Sequence, residues 1–208
     1  MLNDELGGKW KMNLPNKLTI ARMCAIPLVI IISLIKPLQT VFSSFNLQIL
    51  LLLIIFVVAS ITDFLDGKIA RKYNLVTNFG KFMDPLADKL LVMSTMIVLL
   101  DLGYFSAFGI NFGFVIIIIL ARELAITGFR TLAADNGIVI AASKLGKLKT
   151  VSQMLMIIYI LTANVFNIAS DNIIHNIITT ILVAFATLMT IISGIDYFAK
   201  NKGVLKEK

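Results

Sequence analysis

The sequence predicts an all-α integral membrane protein, with six transmembrane helices and both termini in the cytoplasm. Three observations lead to that fold class. The chain of 208 residues is 58% hydrophobic and only 15% charged, where a soluble domain carries about a quarter of its residues charged. Six apolar runs recur along it: Leu18–Ile35, Leu47–Thr62, Leu86–Leu100, Phe112–Ile126, Val151–Ala163 and Ile173–Ile195. A helix needs roughly 20 residues to cross the hydrocarbon core, so the third and fifth runs must extend into flanking polar sequence. The basic residues then orient the bundle. With cytoplasmic termini, every one of the 19 Lys and Arg residues except Lys36 falls on the inner side, as the positive-inside rule requires.

The elements follow in order. Met1–Lys11 reads as an N-terminal extension, disordered or foreign to the native chain, in which Trp10 and its basic neighbours would suit a short interfacial helix. Residues 12–200 form the six-helix domain, and 201–208 a basic cytoplasmic tail. The first apolar run follows a basic segment as a signal peptide would, but Arg22 and its prolines disrupt the run and no small-residue cleavage site follows. Ser60–Arg71 is the inner end of the second helix, and Tyr73–Gly80 a turn. Pro85 marks a helix start nearby, since proline fits a first turn, and Asp84 and Asp88 then share one face of that turn. The net charge of +7 is explained by topology, without nucleic acid, because no basic aromatic-rich module accompanies it. Cys24, the single cysteine, excludes a disulfide framework and reads as a packed small residue.

Four carboxylates stand out against this background: Asp63, Asp66, Asp84 and Asp88. Ionisable residues at membrane spans default to a functional reading. At i,i+3 and i,i+4 spacing, each pair lies on one helical face. Paired carboxylates at a water-accessible boundary suit hard divalent cations such as magnesium. Four exceed the need of one ion, and two ions would assist an in-line displacement at phosphorus. Gly67 and Ala70 remove bulk beside the carboxylates, and Arg71 can pair with phosphate oxygens. Together these imply a nucleoside diphosphate substrate.

The complete pattern is Asp63-x2-Asp66-Gly67-x2-Ala70-Arg71-x8-Gly80-x3-Asp84-x3-Asp88. It resembles, at all eight defining positions, the signature of the CDP-alcohol phosphotransferase family. That resemblance extends from Met12 onward and implies a six-helix fold and transfer of a phosphatidyl group from CDP-diacylglycerol to an alcohol, with release of CMP. It implies that Asp63, Asp66 and Asp84 hold two divalent ions, Mg2+ or Mn2+. Asp88 would be the general base and touch the second ion. Asp66, Gly67, Ala70, Arg71, Thr77 and Gly80 would contact the CDP moiety. Three further stretches, Asn13–Arg22, Asn78–Lys89 and Gly146–Thr150, resemble bacterial members whose acceptor is sn-glycerol 3-phosphate. In the first of these, Asn16 and Thr19 are candidates for the cytidine end, with a helix N-cap as the other reading of Asn16. Small residues also serve helix packing in membranes, the alternative for Gly67, Ala70 and Gly80. The resemblance further implies a homodimer in the bacterial cytoplasmic membrane, with the site facing the cytoplasm.

Acceptor choice has its own physical argument. Arg122, Arg130, Lys147 and Lys149 cluster on the inner side, and Arg122 and Arg130, eight residues apart, share a helical face. A doubly charged phosphomonoester needs such cations, and zwitterionic serine fewer. Positive-inside topology and headgroup contact also account for basic residues there. Serine and inositol phosphate remain the alternative acceptors. A divalent-cation transporter is the alternative of another class, although the charges gather on one side and no broken helices mark a midplane site. His175 reads as an interfacial polar residue, Glu123 as a partner of Arg122, and Asp196 as structural.

Overall fold

The computed structural model describes residues 13–35, 46–72, 77–138, 140, 143–166, 168 and 172–205, without the side chains of residues 14, 15, 66–72, 78, 79, 81 and 205. The extension Met1–Lys11 therefore lies outside the described residues. The described residues form six α-helices: α1 (Leu14–Leu34), α2 (Leu47–Lys72), α3 (Asn78–Asp101), α4 (Gly113–Asp135), α5 (Lys144–Val165) and α6 (Ile173–Lys200). Between α3 and α4 sits a minimal antiparallel hairpin, β1 (Ser106–Ala107) and β2 (Ile110–Asn111). Helix α1 packs on α2 and α3, α5 on α2 and α6, and α4 on α3 and α6.

Among the described residues, α1, α2, α5 and α6 are long and apolar enough to cross a membrane. Helices α3 and α4 have the length, 24 and 23 residues. They also carry Asp84, Asp88 and Lys89, or Arg122, Glu123 and Arg130, along one end, which is where the polar site forms. Large apolar side chains face outward along the bundle, including Leu34, Ile117, Ile181 and Ile195. An outward apolar surface suits lipid, and the chain is a multi-pass membrane protein. Within it, Val29, Ile49, Phe56, Met96, Ile119 and Ile157 have no exposed surface. In lipid, such a core is held by close packing rather than by escape from water.

The end of the bundle away from the aspartates is closed by hydrogen bonds. Gln48 is fully buried, and its Nε2 donates to the carbonyls of Ile32 and Ser33, both at 2.9 Å. These are carbonyls of the last turn of α1, where a helix leaves its carbonyls short of donors; that of Ile32 also accepts from the Ile35 N–H at 3.2 Å. Asn46 donates from its backbone to Val165 at 2.9 Å and from Nδ2 to the Tyr104 hydroxyl at 3.0 Å. His175, expected as an interfacial polar residue, has a partner in the bundle. It is buried near the start of α6, stacked on Tyr159 with centroids 5.8 Å apart, because the two helices bring a second polar ring to meet it.

Cys24, expected as a packed small residue, is exposed on α1. A further expectation changes. Pro85 does not start α3. The helix begins at Asn78, with Thr77 as its N-cap, and Pro85 lies inside it. Asp84 and Asp88 therefore sit in the second and third turns, past the strongest influence of the helix terminus. A capping hydroxyl has prevailed over the proline signal because it satisfies an otherwise orphan N–H. Within the expected tail, Lys202–Leu205 forms a 3-10 turn whose Val204 packs against Ile126, Phe129, Ala133 and Tyr197; residues 206–208 lie outside the described residues.

Helix α4 ends in a motif that depends on glycine. Gly137 adopts φ +72°. Its N–H donates to Ala134 at 2.9 Å and that of Ile138 to Ala133 at 2.8 Å, a Schellman arrangement. A Cβ at Gly137 would meet nothing within 4 Å, so substitution there tests backbone conformation alone. Gly137→Ala should destabilise the protein by about 1–2 kcal/mol. Gly128→Ala, also in open space but inside the same helix, should be neutral or stabilising. Thermal unfolding of both variants in detergent checks the contrast.

Candidate active site

The N-terminus of α3 is built against that of α1. The Thr77 hydroxyl accepts from the backbone N–H of Gly80 at 3.0 Å and donates to Asn16 Oδ1 at 2.8 Å. The cap of α1 is Asn13, whose Oδ1 accepts from the Asn16 N–H at 3.3 Å; Asn16 is thus free of the capping role weighed for it. Gly80 is buried at this junction. A Cβ there would lie 3.3 Å from Thr77 Oγ1, 3.4 Å from Asn16 Oδ1 and 3.5 Å from Asp84 Oδ2, so the glycine allows three polar side chains to converge. One turn along α1 from Asn16, Thr19 donates to Asp84 Oδ1. Asn16, Thr19, Thr77, Gly80 and Asp84 are therefore one cluster.

Arg22 continues the same face of α1. Its guanidinium is buried and paired with Asp63 on α2. Asp63 also feels the charge of Asp84, and Asp88 feels those of Asp63 and Arg22. The carboxylates of α2 and α3 thus face a common region. Among the described residues, no three acidic, histidine or cysteine side chains form a group that could hold an ion. Asp66 is outside that comparison, as are Gly67, Ala70 and Arg71: their backbones belong to the last turns of α2, and their side chains lie outside the described residues. By chemistry the set fits hard divalent cations. Its donors are carboxylate oxygens whose mutual repulsion is offset, among the described contacts, by Arg22 and Thr19.

Asp88 connects this acidic half to a basic one. It lines a cavity of about 240 Å³ with Lys89, Arg122, Glu123, Arg130, Lys147 and Lys149. All four cations proposed from sequence for an acceptor phosphate border the same space as the proposed base. Helices α3, α4 and α5 supply them, and Tyr197 of α6 closes one side. Arg130 donates from Nε to the Tyr197 hydroxyl at 3.1 Å and lies over its ring, 5.5 Å from the centroid. Arg122 reaches α6 as well, donating from Nη2 to Ser193 at 3.1 Å. Gly194 leaves room for it, since a Cβ there would sit 3.2 Å from Arg122 Cγ.

At the centre of this wall is Glu123, only 7% exposed. It accepts from Lys149 and from Arg122 Nη1 at 3.0 Å, and lies 3.8 Å from Lys89 Nζ. Sequence reading paired it with Arg122 and missed the other two. It likewise gave neither Arg22 nor Lys89 a role in the site. Adjacency gave a partial signal for Lys89, which follows Asp88, but nothing local points from Arg22 to Asp63. Asp196 forms an i,i+4 pair with Lys200, the structural role expected.

The chain is similar over most of its length to one family of proteins. The CDP-alcohol phosphatidyltransferase family profile matches residues 12–192. A CDP-diacylglycerol–glycerol-3-phosphate 3-phosphatidyltransferase of Bacillus subtilis is 41% identical over 199 residues, covering 93% of this chain and 97% of the relative. An enzyme of the same name from Rickettsia bellii is 41% identical over 191 residues, 91% of this chain and 96% of the relative. One from Mycoplasma pneumoniae is 40% identical over 159 residues, 72% and 67%.

The capping cluster makes a direct prediction. Thr77→Ala removes the α3 cap and the bond to Asn16, and should cost about 1 kcal/mol of stability. Thr77→Ser should retain most of it. Thermal unfolding in detergent separates the two.

Proposed function

The chain belongs to the CDP-alcohol phosphatidyltransferase family, and from that premise we propose that it transfers the phosphatidyl group of CDP-diacylglycerol to sn-glycerol 3-phosphate, giving phosphatidylglycerophosphate and CMP. The observation that carries the acceptor is the cavity in which Asp88 meets Lys89, Arg122, Arg130, Lys147 and Lys149. A phosphomonoester dianion needs this density of positive charge, with arginine and lysine as its usual ligands. A neutral or zwitterionic alcohol does not.

The division of labour follows from the two halves. Asn16, Thr19, Thr77 and Gly80, with Asp66, Gly67, Ala70 and Arg71 on the adjoining end of α2, bind the CDP moiety. Arg122, Arg130, Lys147 and Lys149 bind the acceptor phosphate. Held there, the acceptor turns its primary hydroxyl toward Asp88. Asp88 takes the hydroxyl proton as the oxygen bonds to the phosphorus that carries diacylglycerol. The bond from that phosphorus to the CMP oxygen breaks, and CMP departs with the negative charge, near Arg71. Asp63, Asp66, Asp84 and Asp88 would hold two divalent ions, Mg2+ or Mn2+, which when bound supply positive charge to the pyrophosphate.

The wider setting is part of the same proposal. All six helices span the bacterial cytoplasmic membrane, both termini and the site face the cytoplasm, and the enzyme is a homodimer. In that orientation the acyl chains of the substrate stay in lipid while a water-soluble acceptor enters the basic cavity.

Purified protein with magnesium or manganese, CDP-diacylglycerol and a panel of acceptors tests the assignment by CMP release. Glycerol 3-phosphate should support turnover, and serine and inositol phosphate should not. Turnover with one of those instead would keep the family chemistry and overturn the acceptor. Asp88→Asn should lower kcat by about 10²–10⁴-fold while CDP-diacylglycerol still binds. Lys147→Ala should raise KM for glycerol 3-phosphate by about 10-fold, the loss of one charge-assisted hydrogen bond, with kcat changed little.

A further inference from the structure

Three cations on the cavity wall share Glu123, but they are not held equally. Arg122 is also bonded to Ser193 at 3.1 Å, and Lys89 also donates to Thr127. The ammonium of Lys149 has Glu123 as its one partner among the described residues. Lys149 is only 5% exposed, so water does little to hold it. The other carboxylate whose charge reaches it is that of Asp88, which lines the same cavity. A buried ammonium deprived of its counter-ion moves to the next carboxylate available, because leaving it unpaired costs several kcal/mol.

We propose that Glu123 is a positioning residue for the transfer reaction, holding Lys149 on the α4 side of the cavity so that its ammonium does not close onto Asp88. An ion pair between Lys149 and Asp88 would occupy the carboxylate that must accept the acceptor's proton. It would also withdraw a cation from the acceptor phosphate. Glu123 thereby keeps a base and a dense set of cations side by side without their neutralising each other. The backbone agrees with this role. Glu123 is on α4 and Lys149 near the start of α5, whereas Asp88 is on α3, so the pair ties the ammonium to a helix other than the one that carries the base.

The inference rests on the reading of Asp88 as general base, and the experiment separates the two. Wild-type CMP release with glycerol 3-phosphate, and its loss in Asp88→Asn, test that reading alone. Glu123→Gln then removes the charge with little change of shape. Its kcat, measured per folded enzyme at saturating acceptor, should fall by about 10–100-fold, within the range of an impaired general base. KM for CDP-diacylglycerol should stay constant, and Glu123→Asp should restore part of kcat. In a Lys149→Met background the ammonium is gone, and adding Glu123→Gln should leave kcat within about 3-fold of Lys149→Met alone; Arg122 and Lys89, the other cations on Glu123, keep Ser193 and Thr127 as partners. That second comparison stands even where Glu123→Gln alone does not fold. A full kcat in Glu123→Gln, or a further fall of about 10-fold on adding it to Lys149→Met, would overturn the proposal.

Discussion

The buried pairing of Arg22 with Asp63 is the constraint around which the acidic half of the protein is arranged. A guanidinium with 2% exposure must keep its carboxylate, since an uncompensated buried charge costs several kcal/mol. That requirement fixes how far α1 can slide along α2. Asn16 and Thr19 lie on the same face of α1, so fixing Arg22 also fixes their height. Thr19 then meets Asp84, Asn16 meets Thr77, and the start of α3 is set by its contact with α1 rather than by its own sequence. Three helices acquire a common register from one ion pair.

The basic half is built by the same rule with the signs exchanged. There one carboxylate, Glu123, serves cations from three helices, and α6 contributes Ser193 and Tyr197 as neutral partners. Asp88 stands between the halves, exposed to the fields of Asp63 and Arg22 on one side and of Lys149 and Glu123 on the other. The result is a steep change of charge across a short distance. A bulk solvent would screen it, but among apolar helices it persists.

What the sequence disclosed was the content of the site, because content is written in local spacing. The i,i+3 and i,i+4 aspartates and the eight-residue interval from Arg122 to Arg130 are consequences of helix geometry, and the cations they place do border one cavity with Asp88. Pairings between helices were not legible. Arg22 with Asp63, Lys149 with Glu123 and Thr77 with Asn16 join residues tens of positions apart, and no periodicity encodes them. The α3 start was misplaced for a related reason: Pro85 is a strong local signal, while the cap at Thr77 is supported from α1. The burial of His175 was not legible either, because its tertiary partner, Tyr159, is unseen from its own helix.

The closed end of the bundle has an electrical meaning. Every charged group of the site lies toward one end. Beyond it, some two turns along each helix at 1.5 Å per residue, come Phe56, Met96 and Ile157 with no exposed surface. Past them Gln48, Asn46 and Tyr104 tie the far ends together. Ions and water that enter the charged cavity meet this apolar layer. Crossing an apolar layer is costly for an ion, so the charge of the cavity is confined to the end of the bundle that holds it.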